Sequence, residues 1–167
     1  MMQDFVQQIA DSTRNMINGV HTAFPGTIVS IDTGSGTAVV RPSMKFRKPD
    51  GTQMIYPDIY GVPIVIPQAA GQEATIAYPI KSGDGCLVVI SEQSLDYWMY
   101  GRETETDLHF DLSDAICIPG LFNKGNPALA EAISSNAVVV KAPEIVFHGN
   151  VTVNGNFTTQ GGTVRLN

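Results

Sequence analysis

The sequence predicts an all-β protein: an N-terminal helix, a small barrel, a short helical connector and a C-terminal β-helix intertwined among three chains of a homotrimer. Three observations carry this. Runs rich in β-branched residues, separated by Gly- and Pro-bearing turns, fill the chain from Phe24 to about Pro119. The closing stretch GNVTVNGNFTTQGGTVRLN, residues 149–167, brings back glycine every six residues at Gly149, Gly155 and Gly161. Composition is 43% apolar and 16% charged, enough for a core and too mixed for wholesale disorder. A length of 167 residues suits one domain, or a compact domain with an appendage.

Taken in order, residues 1–22 hold an amphipathic helix over 3–18, QDFVQQIADSTRNMIN. Phe5, Ile9, Met16, Ile17 and, beyond it, Val20 form the apolar stripe, Gln3, Gln7, Asp11 and Arg14 the polar face, and Asn18-Gly19 the stop. Whether the stripe docks on its own domain or on a partner is left open by these residues.

Residues 23–120 read as the barrel. TIVSI and TAVVRP flank the turn DTGSG, and MKFRK and QMIYPDIYGVPIVIP flank Pro49-Asp50-Gly51, so two hairpins are predicted. EATIAYPI is read as a further strand, and GCLVVIS, introduced by SGDG, as a buried one. Pro57, Pro63 and Pro67 push the middle of this region toward edges and loops. SLDYWMYG is read as one helical turn begun by Ser94, with Tyr97, Trp98 and Tyr100 as core or interface packing. Residues 121–136 form the connector. Its NPALAEAI is a short helix with Asn126 as N-cap and Pro127 at the first helical position.

Residues 137–167 form the needle. Framed in sixes from Pro143, the third and fifth positions are Ile145 and Phe147, Val151 and Val153, then Phe157 and Thr159. Alternate residues on a strand share a face, so these form one buried face; Ile145, Phe147, Val151, Val153 and Phe157 are its expected core. At Gly161-Gly162 the phase shifts, with Val164 and Leu166 apolar instead. A single-chain β-helix uses about three hexads per coil and needs at least about three coils. Here the tail supplies about one and a half. Alone it would expose unpaired strand edges and an apolar face, an aggregation hazard. Three copies wound on a common axis remove the shortage, each chain stacking on the other two. About five hexads, each advancing about 4.8 Å, make a rod of about 25 Å.

Charge and cysteine content narrow the function. A net charge of −6 and a pI near 4.8 argue against nucleic acid as a partner, because phosphate neutralisation needs surplus Lys and Arg. The one basic cluster, Lys45, Arg47 and Lys48, is read as decorating a hairpin. No run approaches the roughly 18 apolar residues of a membrane span, and no secretory signal is visible at the N-terminus, so synthesis in a host cytoplasm is expected. Cys86 and Cys117 lie in apolar settings and are read as buried free thiols.

Three segments carry a family resemblance: 26-GTIVSIDTGSGTAVVRP-42, 82-SGDGCLVVISEQSLDYW-98 and 111-DLSDAICIPGLF-122, followed by the hexad tail. In their order they resemble the central-spike proteins of contractile-tailed bacteriophage baseplates, built from an oligonucleotide/oligosaccharide-binding (OB) barrel and an intertwined β-helix. The resemblance spans roughly Phe24 to Asn167. It implies an OB-fold barrel, a homotrimer at the tip of the tail tube, and a non-enzymatic role: piercing the host outer membrane when the sheath contracts. It further implies tail hub or baseplate proteins as partners, with the N-terminal helix as the attachment. Many such spikes bind iron at the apex through paired His-x-His motifs. Here the tail has only His148, and the resemblance leaves two endings, a blunt metal-free point or a separate tip protein. No cofactor is expected. The competing class is a β-helical receptor-binding or adhesin module, which would need an exposed recognition surface.

Two catalytic or metal patterns were weighed against structural roles. Asp32-Thr33-Gly34-Ser35 resembles the loop of an aspartic protease, a chemistry that needs two carboxylates sharing a proton. One copy would require a dimer, and the string also serves as a hairpin loop. Asp107, His109 and Asp111 alternate on one side of a strand with Asp114 close by, a hard-metal spacing. The preferred reading is a solvated acidic loop.

Overall fold

A computed structural model describes residues 2–48, 50–103, 108–159 and 161. It is mainly β, with one curled half-barrel sheet and few helices. Two compact units are formed, Met1–Lys124 and Gly125–Asn167.

The first unit begins with helix α1 (Met2–Asn18). The expected Asn18-Gly19 stop is present, with the Gly19 N–H donating to the Met16 carbonyl at 3.2 Å. Val6, Ile9 and Met16 are exposed. Strands follow as β1 (Ala23–Asp32), β2 (Thr37–Pro42), β3 (Lys45–Arg47), β4 (Gln53–Ile55), β5 (Ile59–Pro63), β6 (Gln68–Ala69), β7 (Ala74–Thr75), β8 (Gly85–Ile90) and β9 (Ala115–Pro119). Helix α2 (Asp96–Tyr100) lies between β8 and β9. Both predicted hairpins form: β1 pairs with β2 around DTGSG, and β3 with β4 around the turn at Asp50-Gly51.

Five strands make the main sheet in the order β5-β2-β1-β8-β9, each pair antiparallel. Two bulges bend it. On β1 the register slips at Val29, and on β5 Tyr60 and Gly61 together face Val39 of β2. An extra residue on one strand sharpens the local twist, and the sheet curls until its edges approach. Just past β5, Ile64 makes a parallel bridge to Cys117 of β9, and the Val65 N–H donates to the Cys117 carbonyl at 2.8 Å. Inside the curl lie Ile28, Val40, Val62, Cys86, Val88 and Cys117, all fully buried. β8 alternates between buried and half-buried residues, so GCLVVI runs through the core as expected.

Two sequence expectations need correction. EATIAYPI is a strand only at Ala74–Thr75. Pro79 has no N–H for a ladder, and Pro67, opposite Ile76 in the β6–β7 register, accepts the Ile76 N–H at 2.9 Å but has none to return. QMIYPDIYGVPIVIP is two strands in separate sheets, parted at Pro57.

The one-turn helix at SLDYWMYG forms, held by a residue far along the chain. Asp114 is buried, and its Oδ1 accepts the Leu95 N–H at 2.9 Å. In the second unit, α3 (Pro127–Ser135) starts as predicted: Asn126 Oδ1 accepts the Ala128 N–H at 2.9 Å, and Pro127 opens the helix. It ends at Asn136 in the left-handed region, φ 50°. No described helix is long and apolar enough to cross a membrane.

Candidate functional site

The tail carries the pattern singled out in the sequence. The chain bends at Pro143, Gly149, Asn154-Gly155 and Gly161 and, among the described residues, runs without a bend between them. Gly149 and Gly155 adopt nearly the same backbone conformation, φ 139° and 145°, one that a side chain would strain. The sixfold beat is thus a geometric period as well as a sequence period. Glycine sets where each short segment ends.

Ile145, Phe147, Val151, Val153 and Phe157 are between 46% and 72% exposed in the single chain. Val138, Val140 and Val146 are exposed as well. No strand forms among the described residues after α3, and beyond Ala137 no backbone hydrogen bond joins described residues. The tail thus combines an exposed apolar row with backbone groups that have no protein partner among the described residues. Residues 162–167, where the sequence phase shifts, lie outside the described residues.

Asp32, His109, Asp111 and Asp114 each have a structural occupation. Asp32 Oδ1 accepts the Gly34 N–H at 2.9 Å, and its Oδ2 accepts the Ser35 hydroxyl at 2.9 Å. These bonds, the Ser35 hydroxyl foremost, hold its carboxyl below the usual range, because they favour the charged form. DTGS is therefore a closed turn around its own aspartate. Asp111 accepts both the backbone N–H and the hydroxyl of Ser113, at 2.9 and 2.7 Å. His109 Nδ1 lies 3.1 Å from the Glu92 carbonyl, and Asp114 anchors α2. Asp107 is outside the described residues. Among those described, no three His, Cys, Asp or Glu side chains gather as a metal group. His148 is exposed in the tail.

Cys86 and Cys117 are buried free thiols on neighbouring strands. The Cys86 sulfur beside it, together with burial, pushes the Cys117 thiol up, so it stays protonated and unreactive. Lys45 and Arg47 sit on the β3–β4 hairpin, where Arg47 Nε donates to the Gly51 carbonyl at 3.3 Å.

The aromatic turn departs from expectation in one respect. Tyr97, Trp98 and Tyr100 are exposed, Trp98 at 73%, so none belongs to the barrel core. A feature that sequence reasoning missed lies beside Trp98: a cavity of about 510 Å³ lined from the DTGSG turn, the end of β5, the β6–β7 segment and α2. Its walls come from residues tens of positions apart, and no local pattern announces it.

No curated protein matches the chain. Residues 24–120, more than half of the sequence and all of the curled sheet, match the family described as phage protein Gp138 N-terminal domain. The chain belongs to that family.

Proposed function

We propose that this phage structural protein is the central spike of a contractile-tail baseplate, a homotrimer whose C-terminal residues form an intertwined β-helical needle. Family membership supports a phage structural component. The observation that carries the finer reading is the tail: bends every six residues, paired with an exposed apolar row and no backbone partners among the described residues. Three such tails on one axis would satisfy those backbone groups and close Ile145, Phe147, Val151, Val153 and Phe157 into a shared core.

The base of the spike is read as an OB barrel. In chain order its five main strands lie 3-2-1-4-5, with strands 3 and 5 meeting in parallel. That is the arrangement of a five-stranded, partly open Greek-key barrel. Its role is mechanical and non-enzymatic: closed threefold packing makes local opening costly, so axial force passes through the needle to the host outer membrane. Helix α1, with Val6, Ile9 and Met16 exposed, is the attachment to the tail hub. The needle's end is either blunt or covered by a separate tip protein.

Light scattering on the purified chain tests the reading. A mass three times the 17.9 kDa chain is expected, and a monomer at micromolar concentration would refute it.

A further inference from the structure

We propose that the cavity beside Trp98 is a binding groove for a neutral saccharide. Its volume of about 510 Å³ lies within the span typical of small-ligand sites. The floor is apolar, with Ile31, Ile64 and Ile80, and the aromatic residues Tyr78 and Trp98 stand in the wall. Sugar rings present C–H faces that stack on such aromatic surfaces. The polar lining is made of hydroxyls, amides and one carboxylate: Thr33, Ser35, Gln68, Gln72 and Asp32. Amides donate and accept together and a carboxylate accepts only, which matches the paired donor and acceptor character of vicinal hydroxyls.

Charge selects among ligands. Among the described residues no Lys, Arg or His lines the groove, so phosphates, nucleic acids and acidic sugars would meet an uncompensated carboxylate. Asp32 keeps free lone pairs, since each oxygen accepts one bond in the turn and can accept another.

Ala70, Gly71 and Gln72 all have positive φ, 52°, 63° and 76°, and this left-handed turn puts Gln72 into the lining. One wall is anchored: the bond from the Leu95 N–H to buried Asp114 fixes the start of α2, so Trp98 is presented by a held turn. A preorganised wall lowers the entropic cost of binding.

The groove lies within the barrel unit, so its test stands apart from the needle reading. Trp98 is the chain's single tryptophan and reports directly. The intact protein is titrated with maltohexaose, cellohexaose, mannohexaose and chitohexaose, following Trp98 emission and, in parallel, heat. Saturable binding of at least one, with a midpoint below about 10 mM, is expected. By calorimetry, Trp98→Ala and Gln72→Ala should each weaken it by about tenfold, with circular dichroism and oligomeric mass unchanged. The proposal is overturned if no hexasaccharide gives saturable change up to that concentration, or if binding persists within twofold in both variants. Tighter binding of an oligo(dT) strand than of any sugar would equally overturn it.

Discussion

In the proposed needle, replacing Phe157 with aspartate should convert the trimer into monomers. In the single chain Phe157 is 72% exposed, and fully burying a phenylalanine is worth up to about 3 kcal/mol, so closing the needle over it contributes about 2 kcal/mol per chain and about 6 per trimer. Aspartate forfeits this and adds a second cost. Three carboxylates would crowd one level of the axis, each losing hydration without a partner, at several kcal/mol apiece. The combined loss exceeds about 10 kcal/mol per trimer, more than a short interface can absorb. Light scattering at pH 7 reads the outcome directly. Thr158→Asp is the control, because the neighbouring residue on a strand points to the opposite face and should leave the trimer intact. A Phe157→Asp protein that remains trimeric, with an unchanged melting temperature, would refute the facing assignment. So would a Thr158→Asp variant that dissociates while Phe157→Asp does not.

Gly85→Ala should destabilise the barrel by more than about 3 kcal/mol, because an added Cβ would run into the backbone carbonyl of Leu121; denaturant titration gives the value. Ile28→Ala, at a fully buried position in the same core, should cost about 2–5 kcal/mol. Arg41 clasps Asp58 through two bonds of 2.8 Å, and the Arg41 hydrogen bonds hold the Asp58 carboxyl below its ordinary 3.8. The pair's stabilisation is therefore full above that pH and lost as pH falls through the folded-state value. Asp58→Asn should accordingly lose less stability than the parent between pH 7 and pH 3, read from urea midpoints. Neither Cys86 nor Cys117 should react with a thiol reagent in the native state, and both should react in denaturant, because both are fully buried.

Much of the fold was legible because local chemistry decides it. Asn18-Gly19 stops α1, glycine-bearing turns fix two hairpins, Asn126-Pro127 starts α3, and the alternation of GCLVVI matches a strand with one face in the core. Expectation failed where long-range contacts override local preference. The apolar residues of EATIAYPI suggested a strand, yet Pro67 and Pro79, with no N–H to give a ladder, end it after two residues. AICIP stood within 111-DLSDAICIPGLF-122 but was not read as a separate strand, although Ala115–Pro119 forms an edge of the main sheet. Only its pairing with β8 reveals it. The groove beside Trp98 depends on that curl, so its residues read as unrelated fragments in sequence. In the tail the opposite holds: the period was plain in the glycines, and the geometry repeats it at Gly149 and Gly155.

The parallel bridge between Ile64 and Cys117 also governs how the barrel is made. β1 and β2 can zip as a hairpin soon after they leave the ribosome, but the seam joins positions far apart in the chain. Contacts of such sequence separation form late, since loop entropy must be met before they repay it. Until β9 has emerged, the thiol of Cys86 and the inner face of β8 lack their cover, and the half-made sheet offers two open edges to neighbouring nascent chains. Once formed, the same seam is the place where the sheet would part first, because one bridge holds what full ladders hold elsewhere. Birth order and failure order would then be mirror images, with the last closure to form also the first to yield.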